Sequence, residues 1–217
     1  FRSWKPKMNI MAETSGKNAL IITPAADPDL AIDDLYNSAF GHSGQKCSAA
    51  SLVIFVGAAG KSERLRTQLL DAVKTLKPGP GFDITTTMNG LAEAPSEKLL
   101  RGLTQLEPGE KWLLKPEKLN KEGTLWSPGI RDNVQPGSWY HKNECFGPIL
   151  GIMYADTLEE AIAWQNDTGY GLTGGIHSLD DAEIEYWIDN VEVGNAYVNR
   201  GITGAIVQRQ SFGGWKK

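Results

Sequence analysis

The sequence is poor in the side chains that most often build metal sites and disulfide frameworks. Its 217 residues include 2 cysteines and 3 histidines, and their spacings match no zinc-ligand pattern. We therefore expect no metal. So few cysteines in a chain of this size are typical of a reducing, cytoplasmic protein, and we expect two thiols rather than a disulfide. The chain opens at Phe1 without an initiator methionine, which suggests a piece of something longer.

Basic charge is also scarce. The 22 Lys and Arg residues are outnumbered by 26 Asp and Glu, which gives a net charge of −4. No basic run is present, so nothing favours a nucleic acid or an anionic membrane surface as the main partner. No apolar run reaches the ~18 residues that a membrane span requires, and the first residues do not resemble a signal peptide. We expect no transmembrane segment.

Apolar strands alternate with amphipathic helices along most of the chain. The predicted strands are 18–23, 51–57, 149–155, 172–178 and 194–199. The predicted helices are 30–39, 61–76, 95–106, 157–166 and 180–191. Pro, Gly and charged residues are concentrated between 77 and 143, where we otherwise expect only short strands around Trp112 and Trp126. The alternation predicts an α/β fold, with a mainly parallel sheet that is covered by helices on both faces.

A cysteine among small residues, in 42-HSGQKCSAAS-51, is the first candidate for chemistry. Considered alone, Cys47 is either a reactive thiol or a small buried residue. A cysteine hydrolase would pair it with a histidine, but His42, His141 and His177 lie in no recognisable nucleophile–histidine motif. A dinucleotide fingerprint is missing too, because no G-x-G-x-x-G follows a strand and opens a helix.

Five short motifs, taken together and in order, resemble those of the aldehyde dehydrogenase superfamily. They are 13-ETSGKN-18, 44-GQKCSA-49, 144-ECFGP-148, 170-YGLTGGI-176, and 194-GNAYVNR-200 followed by 212-FGG-214. The resemblance extends over nearly the whole chain. It implies that residues 1–217 form the catalytic domain of such an enzyme. The cofactor-binding N-terminal domain and the C-terminal oligomerisation segment of the family have no counterpart in this sequence.

The resemblance implies a role for several residues. Cys47 would attack the aldehyde carbonyl, its backbone N–H would supply half of an oxyanion hole, and Glu13 would activate the hydrolytic water. Glu144 would hold the nicotinamide ribose of NAD and Phe146 would line the nicotinamide side. Lys17 and Asn18 would support them. Partial burial would suit the base, because it raises the pKa of a carboxyl group.

The residues around the nucleophile also resemble one branch of the family, the 1-pyrroline-5-carboxylate dehydrogenases. In that branch Ser48 and the backbone of Gly204 and Ala205 would hold the α-carboxylate of glutamate γ-semialdehyde, since loop N–H groups form an anion-binding nest. Phe212 would pack on the aliphatic part of this small-molecule substrate. Ser211 departs from the proline that usually precedes F-G-G.

The resemblance further implies that the chain is part of a larger parent protein. Besides the substrate, it implies as partners the other domains of that parent and further copies of the chain. The whole sequence resembles the dehydrogenase module of bifunctional proline-utilisation proteins. In these proteins a proline dehydrogenase domain precedes the module and can associate peripherally with the membrane. We expect a homo-oligomer in the full protein and an inactive isolated fragment. Two alternatives remain open: an aldehyde dehydrogenase for another semialdehyde, and a non-catalytic assembly domain, although such domains typically lose the cysteine or glutamate.

Overall fold

Seven strands form one sheet that organises the molecule. The structure is a computed structural model, and it describes residues 1, 3–9, 14–206 and 208–216. The strands are β1 (Asn18–Ile22), β2 (Ala50–Val56), β3 (Pro78–Gly79), β4 (Met88–Asn89), β5 (Lys111–Leu114), β6 (Gly129–Asp132), β7 (Ile149–Ala155), β8 (Thr173–His177) and β9 (Asn195–Val198). The helices are α1 (Pro28–Phe40), α2 (Glu63–Lys74), α3 (Glu97–Thr104), α4 (Trp139–Lys142), α5 (Leu158–Asn166) and α6 (Asp181–Asn190).

The strand order in the large sheet is β5-β6-β7-β2-β1-β8-β9. Its pairs are parallel except at the edge, where β5 runs antiparallel to β6. Strands β3 and β4 form a separate two-stranded sheet. The predicted α/β fold with a mainly parallel sheet is therefore confirmed.

Helices cover both faces of the sheet, which explains why its central strands are almost entirely apolar. Along β1, Leu20 and Ile22 point into one core, in which α1 and α2 pack through Leu35 and Leu69. Ala19 and Ile21 alternate into a second core that α3, α5 and α6 complete. Each core is continuous across the sheet, so the middle strands are held rigidly from both sides.

The helices start where the sequence supplies caps. The Asp27 carboxylate accepts hydrogen bonds from the N–H groups of Asp29 and Leu30 at the start of α1, and Pro28 occupies the first turn. Ser62 caps α2 by accepting from Leu65 N. These caps satisfy backbone donors that have no partner inside a helix.

The predictions for the middle of the chain are partly wrong. The strand expected around Trp112 is β5, but Trp126 forms only a single antiparallel bridge with Lys118. Strand β6 was not predicted, because its Arg131 and Asp132 are charged residues of the kind that is seldom buried. Both are buried: Arg131 pairs with Glu110, and Asp132 accepts from Arg66 and Tyr154.

Within the described part of the chain, no helix has the length and apolar character needed to cross a membrane.

Candidate active site

Three loops that each lead into a strand meet at one edge of the sheet. Residues 14–17 precede β1, residues 45–49 precede β2, and residues 144–148 precede β7. Because these strands are parallel neighbours, their loops gather at the amino edge. Open α/β sheets usually bind ligands at the other, carboxyl edge. In this protein, by contrast, the candidate site is formed by loops that precede the strands, at their amino ends.

A cavity of about 700 Å³ opens at this edge. Six of the residues that the sequence singles out line it: Cys47, Ser48, Phe146, Gly204, Ala205 and Phe212. Glu144 borders a much smaller adjoining cavity instead. The remaining predicted residue, Glu13, lies outside the residues that the structure describes. The sequence resemblance and the geometry thus select the same surface from segments far apart in the chain.

The loop that carries Cys47 has a backbone that only a few residue types tolerate. After α1, the chain passes through a short 3₁₀ turn in which His42 and Ser43 have φ of 53° and 56°. Gly44 follows at φ +66°, and a Cβ atom there would lie 2.1 Å from Gly147 O. Glycine is required at position 44, because both the positive φ and the close contact exclude a side chain.

Asn18 fixes the backbone on either side of the thiol. Its Nδ2 donates to Cys47 O at 2.7 Å and to Ala49 O at 2.9 Å, and its Oδ1 accepts from Thr173 N at 3.1 Å. The strand register shifts at Asn18, where β1 begins. A Cβ atom at Gly16 would lie 2.2 Å from Cys47 O. The segment before β1 is therefore in direct contact with the cysteine loop, and Asn18 bonds the backbone on both sides of Cys47.

The two cysteines lie in different surroundings and are not joined in a disulfide. Cys47 is half-buried and faces the cavity. Cys145 is buried in the core, and this burial raises the pKa of its thiol, although Lys17 opposes the shift. A raised pKa keeps Cys145 protonated and unreactive at neutral pH. Of the two thiols, Cys47 is the one that a small molecule in the cavity can reach.

Glu144 is a half-buried carboxylate held beside the loop that precedes β1. Its Oε1 accepts from Gly16 N at 2.8 Å. Burial raises the pKa of Glu144, while the hydrogen bonds from Gly16 and Ser15 and the charge of Lys17 work in the opposite direction. The carboxylate is thus a hydrogen-bond acceptor that is partly shielded from water. Such a group is stabilised when a polar ligand group donates to it.

Phe146 has an unusual backbone. Its φ is 60°, in the left-handed region that bulky residues rarely occupy. The ring is 41% exposed. It borders both the main cavity and a second one of about 350 Å³, which Gln45 also lines. An exposed aromatic side chain in a strained conformation at a cavity mouth is typical of a ligand-contacting residue.

Lys17 is a buried cation under the site. Its Nζ has no hydrogen-bond partner among the described residues but lies 3.8 Å from the centre of the Tyr140 ring. Burial lowers the pKa of the Lys17 ammonium group to about 8, and the neighbouring Arg131 adds to this effect. Cys145 and Glu144 act in the other direction. Burial therefore destabilises the Lys17 charge, and the nearby Glu144 carboxylate partly offsets this effect.

The three histidines, all of them described, are absent from the lining of the Cys47 cavity. His141 is buried, accepts from Gly137 N at 2.8 Å and lies 2.9 Å from Trp164 O. His177 is buried and faces Asp34. Burial lowers the pKa of both imidazoles. The cavity lining therefore does not contain the histidine that a cysteine hydrolase would place beside its nucleophile. Among the described residues, no group of three or more His, Cys, Asp or Glu side chains is arranged to hold a metal ion.

Several cavity residues were not singled out from the sequence. They are Thr14, Gln45, Lys46, Ile206 and Gln210. The first three belong to the quoted motifs, so their position next to Glu13 and Cys47 could have identified them. Ile206 and Gln210 lie in the 200–214 loop, where no local pattern distinguishes a residue that lines the cavity from one that faces solvent.

The fold and the site together define a class of protein. The model of the aldehyde dehydrogenase family matches residues 5–217. The chain belongs to the aldehyde dehydrogenase family.

Named relatives narrow the similarity further. The chain is 33% identical to a 1-pyrroline-5-carboxylate dehydrogenase of Geobacillus sp. (strain WCH70), covering 95% of this chain and 40% of the relative. A solved structure of proline utilization A (PutA) from Corynebacterium freiburgense is 71% identical, with a TM-score of 0.95 over 99% of this chain and 22% of that one.

A third similarity concerns the cofactor. A 1-pyrroline-5-carboxylate dehydrogenase from Thermus, solved with bound NAD, is 35% identical with a TM-score of 0.84, over 94% of this chain and 39% of that one. The chain thus spans well under half the length of each of these proteins.

Proposed function

We propose that this chain is the catalytic domain of an NAD-dependent enzyme that oxidises L-glutamate γ-semialdehyde to L-glutamate. The observation that carries the proposal is the cavity that brings the Cys47 thiol together with Ser48, Gly204 and Ala205. One cavity thus holds a thiol that can attack a carbonyl and, at Ser48, Gly204 and Ala205, hydroxyl and backbone groups that can bind an anion. These two functions match a substrate with an aldehyde at one end and a carboxylate at the other.

Cys47 acts as the nucleophile. Its thiolate adds to the aldehyde carbonyl to give a thiohemiacetal, and the backbone N–H of Cys47 stabilises the developing oxyanion. Loss of a hydride converts the adduct to a thioester, and water releases the carboxylate and regenerates the thiol. Glu13 is the base that accepts a proton from that water. Asn18 restrains the cysteine backbone during these steps, since it holds the carbonyls of Cys47 and Ala49.

The residues on this chain fit NAD as the cofactor. The Glu144 carboxylate is a half-buried acceptor suited to ribose hydroxyls, and Phe146 offers an exposed ring at the cavity mouth. When bound, NAD⁺ supplies the acceptor for the hydride that leaves the thiohemiacetal. The protein's contribution is to bind and orient the cofactor and to keep Cys47 next to it.

The α-carboxylate is held by the Ser48 hydroxyl and by backbone N–H groups at Gly204 and Ala205. Gly204 has φ +85°, and a Cβ atom there would meet nothing within 4 Å, so this backbone is open to a ligand. Phe212 and Ile206 are exposed at the same cavity and provide apolar contact for the methylene groups. N–H groups oriented by a loop can bind an anion without a buried counter-charge.

The parent is a larger protein in this proposal. It contains the cofactor domain, and it is a cytoplasmic homo-oligomer in which a proline dehydrogenase domain is covalently linked to this one. The similarity to PutA and the limited share of each relative that the chain covers support this view.

Substrate selectivity tests the proposal. In the full-length protein, we expect kcat/KM for glutamate γ-semialdehyde to exceed that for succinate semialdehyde, which lacks the α-amino-acid head, by at least about 100-fold. The Ser48→Ala variant should lose most of this difference. Equal kcat/KM values for the two aldehydes in the unmodified protein would overturn the assignment and favour an enzyme for another semialdehyde.

The isolated 217-residue chain gives a second test. We expect no steady NADH production from it with glutamate γ-semialdehyde, because the chain spans only 40% of the length of its 1-pyrroline-5-carboxylate dehydrogenase relative and the resemblance assigns the main cofactor domain to the remainder. Robust turnover by the purified fragment would contradict the proposed division of labour between domains.

A further inference from the structure

The base of the 200–214 loop is attached to α1 by a buried hydrogen bond. Ile202 N donates to Ser38 Oγ at 3.0 Å, and both residues are shielded from solvent. Ser38 lies near the end of α1, which runs directly into the turn that leads to Cys47. Ile202 lies two residues before Gly204. One bond therefore joins the helix that delivers the thiol to the backbone that would hold the carboxylate.

The attachment leaves little space between loop and helix. A Cβ atom at Gly201 would lie 3.1 Å from Ser38 Oγ and 3.5 Å from Asp34 Oδ1. Asp34 and Ser38 are four residues apart and so occupy the same face of α1. His177, at the end of β8, packs against this face with its Nε2 3.5 Å from Asp34 Oδ2. The loop base thus rests directly on polar atoms of the helix.

The other side of the loop base is fixed as well. Asn199 has φ of 50°, and its amide group donates to Ser178 O at 2.7 Å and accepts from Ser178 N at 3.0 Å. The chain between Asn199 and Ile202 is therefore held by β8 on one side and by α1 on the other. These bonds fix the position from which the chain continues, two residues later, to Gly204.

We propose that Ser38 is a positioning residue that sets the distance between the Cys47 thiol and the carboxylate-binding backbone at Gly204 and Ala205, and so selects substrates by chain length. The inference rests on the proposed function. Ser38 touches neither substrate nor cofactor. It acts through Ile202, because the hydroxyl is the acceptor that keeps the loop base against the helix. Loss of the acceptor leaves a buried N–H group unsatisfied, and the loop relieves this by shifting.

The test uses steady-state kinetics of the full-length protein with three amino-acid semialdehydes that differ by one methylene: aspartate β-semialdehyde, glutamate γ-semialdehyde and 2-aminoadipate δ-semialdehyde. Butanal serves as an aldehyde without a carboxylate. For Ser38→Ala we expect KM for glutamate γ-semialdehyde to rise about tenfold with kcat changed less than about threefold. Its preference over the two homologues should narrow by a similar factor, and KM for butanal should stay constant.

Two further variants keep the test decisive. Gly201→Ala changes the loop side of the same contact, because its Cβ atom would lie 3.1 Å from Ser38 Oγ. It should reproduce the rise in KM without altering the helix, so it tests the positioning role even if Ser38→Ala does not fold. Ser38→Thr keeps the hydroxyl and should retain the length preference. Ser62→Ala, which removes the cap of α2 on the same face of the sheet, controls for general destabilisation and should leave KM unchanged.

The outcomes separate the two ideas. If the unmodified protein fails to prefer the amino-acid semialdehydes over butanal, the proposed function is wrong and this inference falls with it. If the preference exists but Ser38→Ala and Gly201→Ala leave it unaltered, only the positioning role is overturned. An equal rise in KM for butanal, or the same rise in Ser62→Ala, would likewise show that the effect is not one of substrate length.

Discussion

The two edges of the sheet are constructed in different ways. At the carboxyl edge of β1 and β2, α1 and α2 begin with local caps, in which Asp27 and Ser62 bond residues two or three positions ahead. At the amino edge the bonds join distant segments, as between Asn18 and Cys47 or between Gly16 and Glu144. The buried Lys17 cation and the cavity of about 700 Å³ occur at the amino edge, beside the positive-φ backbone of Phe146. The contacts described at the carboxyl edge are local and stabilise helix starts, whereas those at the amino edge hold distant segments around the cavity.

Removal of the proposed nucleophile, Cys47, should produce the largest difference in activity between the edges. We expect Cys47→Ala to lower kcat of the full-length protein by more than about 10³-fold with an unchanged circular dichroism spectrum, because no other group can form the covalent adduct. Cys145→Ala is the matched control, since its thiol is buried in the core. It should reduce thermal stability but not abolish activity. Near-normal turnover by Cys47→Ala would refute its assignment.

A pair of glycines with positive φ compares the edges directly. Gly44 and Gly57 have φ of +66° and +51°, so both resist substitution. A Cβ atom at Gly44 would lie 2.1 Å from Gly147 O, whereas one at Gly57, at the carboxyl edge, would keep 3.5 Å from Asp156 O. We expect Gly44→Ala to reduce kcat/KM about 100-fold because a 1 Å shift of reacting groups has this effect.

The Gly57→Ala control should cost about 1 kcal/mol in the free energy of unfolding and leave kcat/KM within about twofold. Equal losses of activity in the two variants would mean that the edges do not differ in function.

The buried cation at the amino edge should be visible in the pH dependence of stability. The pKa of Lys17 is about 8 in the folded protein and near its ordinary value of about 10.4 when unfolded. Between these values the unfolded chain binds more protons, so the contribution of Lys17 to the free energy of unfolding rises with pH. Below pH 8 the full penalty for burying the charge is present.

Chemical denaturation of the full-length protein and of Lys17→Met at pH 7 and pH 10 measures this effect. Between pH 7 and pH 10, the free energy of unfolding of the unmodified protein should rise by on the order of 3 kcal/mol more than that of Lys17→Met. Identical pH profiles would show that the ammonium group is better solvated than its surroundings suggest.

The smallest effect should come from the carboxyl edge. Ser62→Ala removes the side chain that accepts from Leu65 N. We expect a loss of about 1 kcal/mol in the free energy of unfolding and unchanged kcat/KM, because the cap acts only on α2. A change in activity without a change in stability would show that the carboxyl edge also contributes to function.

The central strands could be predicted from the sequence because burial on both faces leaves a continuous apolar run in β1, β2 and β7. Strand β6 could not, since its charges are neutralised only by partners elsewhere in the chain. Arg131 depends on Glu110, and Asp132 on Arg66. Propensity and periodicity are local, so they give no information about such pairs.

The same limit applies to the site. The motif around Cys47 could be recognised from residue types at fixed spacing. The left-handed backbone of Phe146 and the hydrogen bond from Ile202 to Ser38 could not, because both depend on how separate segments approach in space. For Asn18 the motif indicates a supporting role, but the three backbone groups that it bonds are known only from the structure.

The bonds that fix the cysteine loop also constrain the order in which the protein can mature during synthesis. Cys47 leaves the ribosome early, but Gly147, which excludes a side chain at Gly44, and Thr173, which donates to Asn18, follow much later. Ile202, which bonds Ser38, is later still. Contacts of such sequence separation form slowly. The nascent chain therefore carries an unfinished thiol site until nearly the whole domain has been translated, so catalytic competence is a late event of folding.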